Sequence, residues 1–254
     1  MNDFKIVDTH AHLCDPLFDR DRKAILKKAQ AEGLAAIVAV SENLSDARRN
    51  LQLADRYPLV YAAAGLHPMH LDLKQAEEIC TFIRTERGRL VAIGEVGLDY
   101  WVIKDESKRQ LQRDIFSSFI DLSREVDLPL NVHSRSAGRH AIALLRERGA
   151  KRVQLHAFDG KAASALPAVD AGYFFSIPPS VVRSPQKQKL VKRLPLSCLM
   201  IETDSPVLGP LREERNEPSN VILSAKAIAE LKNISSAKVI EATYKNTCQL
   251  YGDL

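Results

Sequence analysis

Cysteine is scarce in this chain: there are four in 254 residues, Cys14, Cys80, Cys198 and Cys248, and no two form a C-x-x-C pair. That excludes a disulfide scaffold and predicts reduced thiols in a reducing compartment. Long apolar runs are also missing. Nothing approaches the roughly 18 uninterrupted apolar residues of a membrane-spanning helix. The opening stretch, MNDFKIVDTHAHL, lacks the basic-then-apolar run of an export signal. A cytoplasmic protein with no membrane partner is expected. Charge of one sign is not in great excess, since 36 Lys and Arg against 32 Asp and Glu leave a net +4. Such a surplus permits an anionic substrate without demanding one. Internal repeats, low-complexity tracts and linkers are absent, so one domain over residues 1–254 is expected. At 45% apolar and 27% charged residues, the chain can bury a large core and is not disordered.

What is there is an alternation. Eight short apolar runs recur: Lys5–Asp8, Ala35–Val40, Leu59–Ala64, Leu90–Glu95, Leu128–His133, Arg152–His156, Tyr173–Ile177 and Leu199–Thr203. Helical patterns lie between them, near Asp21–Glu32, Ser45–Arg56, Lys74–Arg87 and Arg139–Arg148. The clearest places Leu111, Ile115, Phe119, Leu122 and Val126 on one helix face. Two more, Ser219–Lys232 and Ser235–Tyr251, each open on a serine suited to N-capping. Apolar strands alternating with helices predict a parallel sheet buried on both faces. Eight of them in about 250 residues predict an α/β fold of one (β/α)8 TIM barrel. The alternative is an open, doubly wound sheet, but its Gly-rich phosphate turn is missing after the first run, where Asp8-Thr9-His10-Ala11-His12 stands.

In a barrel the active site lies at the C-terminal ends of the strands. The residues there are His10 and His12 after the first run, Glu95 after the fourth, His133 after the fifth, His156 after the sixth and Asp204 after the eighth. Residues two apart on a strand share a face, so His10 and His12 can grip one ion together. Asp204, from the strand beside the first, would close that site. Glu95 would bridge to a second ion, completed by His133 and His156. Mixed nitrogen and oxygen ligation suits two divalent metal ions, with Zn, Mn or Co favoured and Mg fitting the histidines less well. Such ions activate water near neutral pH for attack on phosphorus or carbonyl carbon alike. Asp204 is expected to take the water's proton, with Glu95 the other catalytic carboxylate. Asp8 is expected to hydrogen-bond a ligand histidine, the alternative being a strand-edge acid that caps a turn. His67 is expected to contact a substrate phosphate, and Arg135 either to steady one or only to pair with a neighbouring acid. Arg215 in the RNEP segment either lines the groove or orders its loop. The basic run of Arg183, Lys187, Lys189, Lys192 and Arg193 is either a solvated helix face or a DNA contact. Tyr100 and Trp101 either stack on a base or roof the barrel. Cys14 is read as packing.

Taken together, DTHAH, GEVGLDY, NVHSR, HAFDG, ETDSP and RNEP resemble the TatD-type deoxyribonucleases of the metal-dependent amidohydrolase superfamily, from Val7 to Asn246. The resemblance implies a barrel with a dinuclear metal centre and nuclease activity on DNA, including exonuclease activity. The family's ligands fall on His10, His12, Glu95, His133, His156 and Asp204. Two segments depart from the family pattern: HLCD is one residue longer than the usual HLD, and HAFDG stands where HCFTG or HCFSG is common. The competing functions are an ester or amide hydrolase, such as a deacylase, on the same centre, and a non-catalytic metal-binding barrel. No nucleic-acid recognition module is visible, so DNA would be bound without regard to sequence. No obligatory protein partner is evident.

Overall fold

The computed structural model describes residues 4–254. Each apolar run becomes a strand: β1 Ile6–Ala11, β2 Leu34–Ala39, β3 Val60–Ala64, β4 Leu90–Gly97, β5 Leu130–His133, β6 Val153–Leu155, β7 Phe174–Ile177 and β8 Leu199–Ile201. They pair in parallel and lie in sequence order in one eight-stranded sheet. The sheet closes on itself. Ala11 bridges Ser205 in parallel. The His12 N–H donates to the Ser205 carbonyl and the Asp204 N–H to the His10 carbonyl, both at 2.8 Å. Below them the Thr9 hydroxyl donates to the Ile201 carbonyl at 2.9 Å. An open sheet would have no bonds between its first and last strands, so the fold is a (β/α)8 barrel.

The helices are α1 Arg22–Ala31, α2 Leu44–Arg56, α3 Leu73–Glu86, α4 Glu106–Val126, α5 Gly138–Glu147, α6 Ala162–Asp170, α7 Pro185–Arg193, α8 Val221–Lys232 and α9 Ser236–Tyr251. On α4, Ile115, Phe119 and Leu122 are buried in the predicted stripe, and Asp105 caps the helix by accepting from the Lys108 N–H. Ser235 caps α9 as expected, accepting from the Lys238 N–H at 3.2 Å. Ser219 does not cap α8. Pro218 starts a 3-10 turn there, Pro218–Asn220, and the helix begins only at Val221. Proline's fixed φ brings the turn forward, and the Ser219 hydroxyl donates instead to Glu217 at 3.2 Å. Sequence periodicity does not reveal α6, which is short, carries Pro167 and is apolar on most sides.

The barrel interior is not uniformly apolar. Asp8, Thr9, Asn131, Gln154, Ser176 and Glu202 are all completely buried within it. Buried polar groups must find partners, and these bond to one another beneath the C-terminal rim.

Candidate metal centre

Six side chains from five strand ends meet at the rim, arranged around Glu95. One of its carboxylate oxygens, Oε2, faces His12 Nε2 at 3.4 Å and His10 Nε2 at 3.8 Å. Asp204 Oδ1 completes that cluster, 3.4 Å from His10 Nε2 and 3.3 Å from His12 Nε2. The two ring nitrogens are 3.3 Å apart. The other oxygen, Oε1, faces His133 Nδ1 at 2.5 Å and His156 Nε2 at 2.8 Å. Those two nitrogens are 3.2 Å apart, and His67 Nε2 lies 3.9 Å from the same oxygen. Glu95 is thus shared between two donor clusters. Its close backbone neighbours explain the glycines of GEVG. A Cβ on Gly97, at φ +146°, would fall 2.0 Å from the His133 carbonyl oxygen, and one on Gly94 2.6 Å from Asn131 Cβ.

The chemistry of the donors asks for a cation. His10 Nδ1–H donates to Asn131 Oδ1 at 2.8 Å, so Nε2 is the ring nitrogen that faces the cluster. Around it stand another imidazole nitrogen and two carboxylate oxygens, a set whose negative charge either protons or a cation must balance. Separations of 3.3–3.8 Å from the imidazole nitrogens are those of donors that lie about 2.0–2.3 Å from a shared divalent cation with nitrogen and oxygen ligands. The donors therefore fit such an ion. His10, His156 and Glu202 also lie close enough to hold a metal ion, but the Glu202 oxygens are already engaged. They accept from the Ala157 N–H at 2.8 Å and the Ser176 hydroxyl at 2.5 Å.

Electrostatics follow from crowding charge in a buried site. Burial opposes ionisation of Glu95, but His156, His67 and His133 hold it well below the usual carboxylate range. Asp204 is likewise lowered, by His10 and His12 against the penalty of burial. Burial would depress His10, yet Asp204 and Glu95 push it up to about 10. His133 rises to about 9 against burial, through Glu95 and Asp99. His156 falls to about 4, from burial and the neighbouring His10 charge. Without a metal, protons on some imidazoles balance the carboxylates, and a cation would displace them.

The imidazole rings of the two clusters are steered by groups that the sequence patterns do not single out. Asp99 is one: His133 Nε2–H donates to its Oδ2 at 3.2 Å, while its Oδ1 accepts from the Trp101 and Val102 N–H groups, each at 2.8 Å. Asn131 orients His10 and donates to the Thr9 carbonyl at 3.0 Å and the Tyr251 hydroxyl at 3.1 Å. Tyr251, from the last turn of α9, donates in turn to Gln154 Oε1 at 2.5 Å. Asp8 differs from expectation. Its carboxylate reaches no imidazole ring; it accepts from the Thr203 hydroxyl at 2.5 Å, the Thr203 N–H at 2.7 Å and the His10 N–H at 3.3 Å. Two of its three donors come from Thr203, just past β8, and one from His10 on β1, so it pins the two strand ends together. A usable sequence signal existed. Asp8, Asn131, Gln154 and Glu202 each lie two residues before a ligand, the strand repeat that places them on its face one layer deeper.

Above the clusters a cavity of about 390 Å³ opens to solvent, lined by His67 and Arg135 among others. Trp101 is 58% exposed, with the Arg135 guanidinium 5.3 Å from its ring centroid. Tyr100 is buried and its hydroxyl accepts from Arg113 of α4 at 2.8 Å, so it packs against that helix. Arg215 orders its loop, bonded to Asp21 at 2.5 Å and to the Leu17 carbonyl at 2.6 Å. In the basic run Lys189, Lys192 and Arg193 are solvated on α7, whereas Lys187 is buried against the cavity. Cys14 packs against Asn50 Oδ1 at 2.8 Å, and burial pushes its thiol up to about 12. In HAFDG, Phe158 fills the space above Gly138 and Gly160, where any Cβ would collide with its ring at 2.4–2.5 Å.

Comparison with known proteins agrees with this geometry. Human deoxyribonuclease TATDN3 is 46% identical over 98% of this chain and 95% of its own length. YabD of Bacillus subtilis, a metal-dependent hydrolase by name, is 34% identical over 97% of this chain and 98% of its own. The crystal structure of YJJV, a TatD homolog from Escherichia coli, superposes with a TM-score of 0.90 at 27% identity, covering 98% of each chain. The model of the TatD related DNase family matches residues 7–252, and the chain belongs to that family.

Proposed function

We propose that this protein is a metal-dependent deoxyribonuclease that hydrolyses phosphodiesters of DNA without regard to base sequence. The observation that carries this reading is Glu95, which offers Oε2 to one donor cluster and Oε1 to the other. His10, His12, Glu95 and Asp204 would hold one divalent cation, and Glu95, His133 and His156 would hold a second. Zn, Mn and Co suit the imidazoles, and Mg suits them less. The chemistry such ions would supply when bound is easier deprotonation of water and compensation of negative charge on phosphate oxygens.

The chain's own groups do the rest. Asp204, ionised and within reach of both His10 and His12, accepts the water's proton at a carboxylate oxygen. His67 and Arg135 meet a phosphate oxygen from the cavity side. Asn131 and Asp99 hold the His10 and His133 rings in place, so that no reorientation is needed during reaction. A cavity of about 390 Å³ suits a single unstacked nucleotide at a strand end better than a duplex, which favours exonuclease action. Four unpaired cysteines fit a reducing, cytoplasmic setting.

The test is a cleavage assay on end-labelled single- and double-stranded DNA with Mg, Mn and Zn compared, alongside metal analysis of the reconstituted protein. We expect products shortened from one end, about two ions per chain, and loss of both in Glu95→Ala. A metal-loaded protein that leaves DNA intact but cleaves an acyl ester would overturn the reading.

A further inference from the structure

We propose that Lys187, Ser134 and Arg135 form an oxyanion-binding wall that holds a substrate phosphate beside the donor clusters and selects phosphate esters over neutral esters and amides. This rests on the phosphodiester reading above and deepens it by naming what recognises the charge.

All three residues line the cavity over Glu95, and each has hydrogen-bonding capacity left over. Lys187 is 7% exposed, yet its ammonium group makes a single bond, to the Ala157 carbonyl at 2.8 Å. Two of its three N–H donors remain available. A lysine is almost never buried unless paired. The Ser134 hydroxyl is 3% exposed and has no partner at all. A buried unsatisfied hydroxyl costs stability, so it calls for an explanation. Arg135 forms no ion pair among the described residues and rests its guanidinium over Trp101. A phosphate with several acceptor oxygens satisfies all three; a neutral amide offers one acceptor.

The wall is one-sided. Ser134 and Arg135 follow β5, and Lys187 reaches from α7 to the residue after His156 on the β6 side. Glu42, the acid across the ring, follows β2 and also lines the cavity. In the ring order β2 stands opposite β6, so the cavity is basic on one side and acidic on the other. Asp159 shares the basic side, its oxygens accepting from the Ser136 N–H at 3.0 and 2.9 Å, and its single negative charge leaves the two cations Lys187 and Arg135 in excess there. An anionic group is thereby directed to one wall and the neutral part of the substrate to the other.

The experiment compares metal-loaded wild type, Lys187→Met and Ser134→Ala on an end-labelled single-stranded oligonucleotide. Further substrates carry one neutral methylphosphonate linkage, moved along the terminal positions. Lys187→Met is expected to lose about tenfold to a hundredfold in kcat/KM. At one linkage the neutral substitution should cost wild type a similar factor and cost Lys187→Met nothing further. Ser134→Ala should raise KM while Tm stays level or rises, because the hydroxyl it removes is unbonded in the fold. Losses that multiply independently at every linkage, or an unchanged KM in both variants, would overturn the wall. If wild type cleaves another ester class and not DNA, the phosphodiester reading fails separately. The wall is then judged by inorganic phosphate as a competitive inhibitor, whose inhibition constant must rise in both variants. Equal inhibition constants would reject it.

Discussion

Asp204 occupies the left-handed region at φ 54°, a conformation that costs an L-residue roughly 1–2 kcal/mol. Bonds across the barrel seam hold it there, and its carboxylate consequently points at both His10 and His12. Asn tolerates the same backbone and has the same shape, so Asp204→Asn isolates the charge. We expect kcat to fall about a hundredfold or more, with KM nearly unchanged and folding intact. Near-normal turnover would remove Asp204 from the proton transfer. Asp99 supports His133 from outside the two donor clusters. Asp99→Asn should weaken metal affinity by about ten- to a hundredfold, measured by competition with a chromogenic chelator. Unchanged affinity would mean that His133 is oriented by packing alone. The residues at the strand ends were legible because the barrel has a rule for where chemistry sits. Asp99 was not, because it lies beyond the end of β4 and meets His133 only through the fold of its own loop.

Among the elements, β4 carries the heaviest geometric demand. It presents Glu95 between Gly94 and Gly97, each pressed against β5 or its side chains. Gly97→Ala adds a methyl where the His133 carbonyl stands and forces an unfavourable φ. A destabilisation of about 2–4 kcal/mol is expected from strain and overpacking together, read as a drop in the urea midpoint, with metal content falling in parallel. A variant as stable as wild type would show that β4 and β5 can separate without loss. The strands announced themselves through short apolar runs closed by polar residues. Helix α6 did not, since a Pro-containing helix that is apolar on most sides carries no 3.6-residue period. The polar layer within the barrel lay open to the same period-two logic that paired His10 with His12. It was overlooked because a buried Gln or Asn in a strand shows its purpose only when its partners on other strands are known.

For the whole molecule, stability and pH are linked through the metal centre. In metal-free protein His10 and His133 are raised to about 10 and about 9, above the roughly 6.5 of an unfolded histidine. Between about pH 7 and 10 the folded state therefore holds protons that the unfolded chain has released, and stability declines as pH rises. Chelated protein should show a falling Tm across that window. Metal-loaded protein should be flatter, and cation binding at pH 8 should release about two protons. Titration calorimetry in buffers of different ionisation enthalpy reads that release; no dependence on buffer would contradict the protonated imidazoles.

The hydroxyl of Tyr251 lies under the metal centre, joined through Asn131 to His10. His10 stands on β1 and Tyr251 on α9, so the support of His10 is complete only when that helix has packed beneath the barrel. A change that loosens α9 would therefore reach His10 through Asn131 without touching any residue at the rim.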